Sequence, residues 1–194
     1  MPAFLETWDA NVLLWVQENL RTPFGNLLIP LWTHLGDHGL LWIVLALVLL
    51  CIPKTRRIGA LALGGLLFSL LAVNVTIKHL VHRPRPWLTV SGLLALVNEP
   101  DPNSFPSGHT SAAFAFAAAV YRELPLSWTR FAVVGAAICM GWSRIYVAVH
   151  YPSDVIAGAV VGTLCGLCAA WLYRKFLRER FPLDGSSRAR GRSI

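Results

Sequence analysis

Apolar residues fall in long runs along this chain, with short polar clusters between them. The run from Leu40 to Ile52 is uniformly apolar and stops at Pro53, with basic residues just after it. Residues 58–77 form a second run, and 108–122, 127–147 and 153–173 each approach the ~20 residues a helix needs to cross a bilayer. Residues 24–35 are apolar but short and contain Pro30, so they read as a half-span or as part of a first crossing. Residues 4–20 alternate apolar and acidic positions at helical spacing, which predicts an amphipathic helix lying in the membrane interface. The pattern predicts an all-α protein: a polytopic membrane helical bundle with five transmembrane helices, or six if the N-terminal region inserts. Its expected parts are an amphipathic N-terminal helix over 1–23, a transmembrane domain over 24–180 and a basic, disordered tail over 181–194.

Composition supports lipid as the cover for these runs. Hydrophobic residues make up 55% of the 194 and charged residues 14%, about half the charged share of soluble proteins. The net charge of +7 raises nucleic acid as a partner, but the placement of the charges excludes it. Of 17 basic residues, 12 fall in three places between or after apolar runs: Lys54, Arg56 and Arg57; Arg122 and Arg130; and seven from Arg174 to Arg192. That is the loop bias of the positive-inside rule. Placing those groups and the basic C-terminal tail on the cytoplasmic side puts 79–107 and 148–152 together on the extracytoplasmic face of a cell membrane. Residues 1–20 lack a basic leader and carry Glu6, Asp9 and Glu18, so no cleavable signal peptide is expected. Cys51, Cys139, Cys165 and Cys168 lie in apolar runs and read as small buried hydrophobes. Gly158, Gly162 and Gly166 leave a smooth strip on the last run, suited to close packing inside the chain or to a homodimer contact.

Three clusters concentrate unusual polar residues on the predicted outer side: Lys78 to Pro86, Pro106 to His109, and Ser143 to Asp154. Charges near the ends of membrane helices need partners or water. Lys78, Arg85 and Arg144 have no nearby acid in sequence except Asp154, which points to an anionic ligand such as phosphate, which accepts bidentate bonds from arginine. Ser107 follows a proline and opens an apolar helix, so it reads as an N-cap that leaves the amides of Gly108 and His109 for an oxyanion. His150 and Asp154 are four residues apart around Pro152, so the carboxylate can accept a bond from the imidazole. His109 is a second histidine, able to donate a proton to a leaving oxygen. Arg83 reads as a solvated residue rather than one that draws in the anion, and His34, Asp37 and His38 read as a helix junction rather than a metal site.

The three clusters together resemble the signature of the type 2 phosphatidic acid phosphatase (PAP2) family, which is related to vanadium haloperoxidases. K-x6-R-P matches Lys78, Arg85 and Pro86; P-S-G-H matches Pro106 to His109; S-R-x5-H-x3-D matches Ser143, Arg144, His150 and Asp154. The resemblance implies a metal-independent phosphoric ester or diphosphate hydrolase without a cofactor. It implies His150 as the nucleophile that forms a phosphohistidine, Asp154 orienting it, and His109 as acid and then base. Lys78, Arg85, Ser107, Gly108 and Arg144 would hold the phosphoryl oxygens. The implied substrates are phospholipids or polyprenyl phosphates, of the undecaprenyl diphosphate, phosphatidylglycerophosphate or phosphatidate class. The loop over 87–104 is expected to cap the site and tune the choice. Two other classes fit the membrane pattern, a non-catalytic lipid-phosphate-binding protein and a transporter; the clustering of charge at helix ends and the absence of a repeat argue against the second.

Overall fold

Residues 3–124 and 128–177 are described by a computed structural model, and all regular structure among them is helical. The tail expected over 181–194 lies outside the described residues. Helix α1 (Ala3–Asn19) leads to Thr22, whose hydroxyl caps α2 (Pro23–Leu35) by accepting from the Gly25 amide at 3.0 Å, with Pro23 in the first turn. A single turn at Asp37–Gly39 joins α2 to α3 (Leu40–Cys51) with a bend of 45°. His38 (φ 53°) and Gly39 (φ 73°) adopt left-handed backbone there. Helix α4 (Arg56–Ser69) widens into a π-helical stretch (Leu70–Ile77) and runs on into α5 (Lys78–Val81), a continuous 26-residue element. The short α6 (Pro86–Thr89) follows, then a loop, α7 (Gly108–Val120), α8 (Trp128–Tyr146) and α9 (Pro152–Leu172).

Two of these helical stretches, Arg56–Val81 and Pro152–Phe176, are long and apolar enough to cross a membrane, and the bent pair α2–α3 makes a third if it counts as one crossing. At about 1.5 Å per residue, the 26 residues of the first reach well over the ~30 Å of a hydrocarbon core. Helix α7 is only 13 residues long and is enclosed by α3, α4, α8 and α9, so its apolar composition serves the protein core more than lipid. Outward faces elsewhere are apolar, with Leu27, Leu31, Phe131, Ile156 and Leu164 exposed. Cys51, Cys139 and Cys168 are also exposed rather than buried, and all four cysteines are free.

Close packing of α9 on α7 rests on glycine. A Cβ on Gly158 would stand 2.6 Å from the Ser107 carbonyl oxygen, and Gly162 and Gly166 face the carbonyls of Ser111 and Ala115 in the same way. The strip is therefore used inside the chain. Gly65 of α4 approaches the same Ala115 carbonyl, and Ser69 and Ser111 share a buried 2.6 Å hydrogen bond between their hydroxyls.

Helix directions place the turns in two groups. Arg57, at the start of α4, pairs at 3.2 Å with Glu123 just beyond α7, so the basic turns share one end. Lys78, the start of α7 and His150, between α8 and α9, meet around one cavity at the other, where the Ser107 amide bonds the Asp154 carbonyl. Helix α1 packs beside them on α8 and α9, burying Asp9, Leu13 and Val16. Gly162→Val is expected to lower the thermal unfolding midpoint in detergent sharply, because a side chain there meets backbone that cannot yield. Gly135→Ala on α8, where nothing lies within 4 Å, is the control and is expected to be neutral or slightly stabilising.

Candidate active site

A cavity of about 450 Å³ opens at the end where the three polar clusters meet, lined at its polar end by Lys78, Arg85, Gly108, His109 and His150. Its apolar wall is made by Ile43, Leu63, Leu66, Leu67 and Leu70. The chain thus brings both histidines to one space, although they lie 41 positions apart. The π-helical stretch ends at Lys78, and such irregular turns are frequent at functional sites. Ser107, Arg144 and Asp154 are buried behind the lining.

His150 has a defined tautomer. Arg85 Nη1 donates to its Nε2 at 2.9 Å, and a guanidinium cannot accept, so the ring proton sits on Nδ1. Nδ1 faces Asp154 Oδ2 at 3.6 Å, the expected partner but too far for a hydrogen bond, and it has no other. The carboxylate is already occupied: it accepts from the Tyr151 amide at 3.0 Å, from the Ser104 hydroxyl and from Arg83 at 2.5 Å. Burial, followed by the nearby charges of Arg85, Arg144 and Lys78, holds the His150 pKa well below the usual histidine range. The imidazole is therefore neutral at pH 7, with its Nε2 lone pair accepting from Arg85 at the cavity lining.

Arg83 is not solvated, as its sequence context suggested. It is 7% exposed and forks between Asp154 and Asp9, at 2.5 Å and 2.7 Å. It also donates to Ser153 Oγ at 2.8 Å and lies 3.8 Å over the Tyr151 ring. Asp9 in turn accepts from the Ser153 amide at 3.0 Å and from the Ser153 hydroxyl. Sequence reasoning missed Asp9 altogether; an acid on the otherwise apolar face of α1 was the one available signal.

The three cations expected to hold phosphate are also not short of acids. Loop residues Glu99 and Asp101 fold back over the cavity: Lys78 bonds Asp101 at 2.5 Å, Arg144 bonds Glu99, and Arg85 stands 3.8 Å from Glu99. Arg85 Nε also donates to the Asp101 carbonyl at 2.9 Å, and Arg144 Nη1 to Thr33 at 2.8 Å. Asp101 has its pKa affected most by burial, which raises it, but the Lys78 bond and the Asn103 amide outweigh this and the net shift is downward. It stays ionised. The loop expected to cap the site thus supplies the counter-charges, which local sequence spacing could not show because 14 to 45 residues separate each pair.

Ser107 has the extended backbone of an N-cap; its hydroxyl accepts from Thr110 Oγ1 at 2.9 Å, and its amide donates to the Asp154 carbonyl at 3.0 Å. Gly108 and His109 occupy the first helical turn, where amides have no partner within the helix. His109 Nε2 lies 2.9 Å from Asp37 Oδ1, and His34 Nδ1 lies 2.8 Å from Asp37 Oδ2. Among the described residues, no group of three or more His, Cys, Asp or Glu side chains is placed to hold a metal ion.

The family model for the PAP2 superfamily matches residues 59–178. Decaprenylphosphoryl-5-phosphoribose phosphatase of Mycobacterium tuberculosis is 36% identical over 137 residues, covering 69% of this chain and 72% of that protein. Undecaprenyl-diphosphatase of Sulfolobus acidocaldarius is 30% identical over 135 residues, covering 69% and 65%. The crystal structure of a transmembrane PAP2-type phosphatidylglycerolphosphate phosphatase from Bacillus subtilis superposes with a TM-score of 0.74 at 25% identity, covering 92% of this chain and 90% of that one.

Arg83→Ala strands two buried carboxylates and is expected to cost about 3–5 kcal/mol of stability, read by thermal unfolding in detergent. Arg83→Lys should recover little of it, since an ammonium cannot fork as a guanidinium does. Glu99→Gln removes a competitor for Arg85 and Arg144, and is expected to tighten inhibition by orthovanadate about tenfold, a gain of ~1.4 kcal/mol. Unchanged inhibition would mean that the carboxylate does not compete for the anion.

Proposed function

The chain belongs to the PAP2 superfamily, and on that premise we propose that it is a membrane phosphatase cleaving a phosphate or diphosphate ester carried by a lipid, through a phosphohistidine on His150. The observation that carries this reading is the lining of the cavity: two imidazoles and two cations, with a row of leucines on the same continuous helix two to four turns before Lys78. An anionic head and an apolar tail fit those two sets of residues. Leu67 and Leu70 belong both to the wall and to the exposed outer surface, so the tail can lie in the bilayer while the head reaches the histidines.

In the proposed reaction, the phosphoryl group displaces Glu99 and Asp101 from Lys78, Arg85 and Arg144, with the Gly108 and His109 amides and Ser107 completing its cradle. Nε2 of His150 attacks phosphorus as the bond to the leaving oxygen breaks, and His109 gives that oxygen its proton. Positive charge develops on the His150 ring, and Asp154, held by Arg83, lies on the Nδ1–H side to stabilise it. Water then attacks phosphorus, passing a proton to His109 as the P–N bond breaks, which frees phosphate and restores both rings. No step uses a metal or cofactor.

The substrate class is a lipid phosphate or diphosphate, and the two relatives named for decaprenyl and undecaprenyl compounds favour a long polyprenyl tail over two acyl chains. The proposed topology has five to six crossings, with the site on the extracytoplasmic side and the basic turns on the cytoplasmic side, as the charge bias requires.

Purified protein given a polyprenyl diphosphate in mixed micelles with EDTA is expected to release phosphate. Alkaline quenching should trap a phosphate bond that is stable in base and lost in acid. His150→Ala should unfold at a similar temperature, carry no trapped phosphate and show no turnover. Full activity in that variant, or strict dependence on magnesium, overturns the mechanism.

A further inference from the structure

Asp37 lies outside the matched residues 59–178 and outside all three motifs, yet it lines the cavity and bonds His109, one of the histidines there. One carboxylate oxygen takes His109 Nε2 at 2.9 Å and the other takes His34 Nδ1 at 2.8 Å. The backbone is shaped for this approach. A Cβ on Gly36 would stand 3.0 Å from His109 Cδ2 and 2.7 Å from Met140 Cε, so a glycine lets the α2–α3 junction close on the ring. The left-handed residues His38 and Gly39 then turn the chain away at once.

The charges around His109 give this contact a purpose. Lys78, Arg85 and Arg144 all stand about the same cavity, and the nearby carboxylates of Glu99 and Asp101 are bound to those cations. A neutral imidazole cannot serve as an acid, and an imidazolium among buried cations needs a carboxylate of its own. Asp37 is that carboxylate: burial and the Arg144 charge disfavour a second proton on His109, and the bond to Asp37 opposes them. The carboxylate is 43% exposed and so reaches water, and His34, 52% exposed, fixes its second oxygen.

Taking the acid role of His109 from the proposed function, we propose that Asp37 is a positioning residue for that step. It orients the His109 ring and stabilises its proton-bearing form, while His34 holds the carboxylate in place. As the P–O bond to the lipid breaks and the P–N bond to His150 forms, the second His109 proton goes to the departing oxygen. Water returns a proton to His109 in the hydrolysis step, and Asp37 stays ionised throughout.

The test compares kcat/KM for an alkyl phosphate, whose alkoxide needs a proton to leave, with that for p-nitrophenyl phosphate, whose phenolate does not. His109→Ala is expected to lower the alkyl-to-aryl ratio by about 100-fold. Asp37→Asn should lower it by at least about tenfold, with part of the loss recovered in Asp37→Glu. A residue that only supports the fold would depress both esters equally. His34→Gln leaves the carboxylate present but loosened and should give the same signature in smaller measure, which keeps the test open if Asp37→Asn fails to accumulate. A ratio that falls in His109→Ala but holds in the Asp37 and His34 variants overturns the role of Asp37 alone. A ratio that holds in His109→Ala overturns the acid assignment and this inference with it.

Discussion

One buried guanidinium holds the cavity end of the bundle together. Arg83 joins α1, the turn before α6 and the first turn of α9 through Asp9 and Asp154. Two carboxylates against one cation would leave a buried negative charge; hydroxyls from Ser104 and Ser153, and amides from Tyr151 and Ser153, absorb it. Removing the arginine would strand both acids, which makes the contact far more consequential than its net electrostatic gain. The position of His150 depends on it indirectly, because Asp154 is pinned from behind before it faces the ring.

The cavity obeys a similar rule in reverse. Three cations close together repel one another, and Glu99 and Asp101 offset that repulsion, while Asp37 lines the same cavity against His109. The acidic loop therefore helps to keep the ligand-free site folded. The two arginines are also aimed by a second bond, Arg85 by the Asp101 carbonyl and Arg144 by Thr33. Little rearrangement of these cations is then required when an anion replaces the carboxylates, which is the condition for efficient electrostatic stabilisation.

Much of this was legible from local pattern. Apolar runs located most of the helices, and the spacing of Lys78, Arg85, His109, Arg144, His150 and Asp154 singled out the polar clusters that share the cavity end. What stayed hidden depended on distance along the chain. Arg83 and Arg85 sit in the same Arg-Pro-Arg-Pro stretch, yet one points behind the site and the other into it. The K-x6-R-P spacing selects Arg85, but only the fold shows what Arg83 does, since its partner Asp9 is 74 residues away in α1. Asp37 was visible as a metal-like residue type, but its link to His109 spans 72 positions and a bend between helices. The number of crossings was read from hydropathy, which cannot separate a helix facing lipid from one such as α7 enclosed by its neighbours.

The leucine wall has a consequence for how encounters are counted. Because Leu67 and Leu70 face both the cavity and the outer surface, a tailed molecule can arrive by diffusing sideways within its leaflet. The search is then two-dimensional, and the quantity that sets encounter frequency is the number of target molecules per unit area of membrane. Diluting the surrounding lipid with inert lipid slows such encounters even when the amount of target per litre is unchanged.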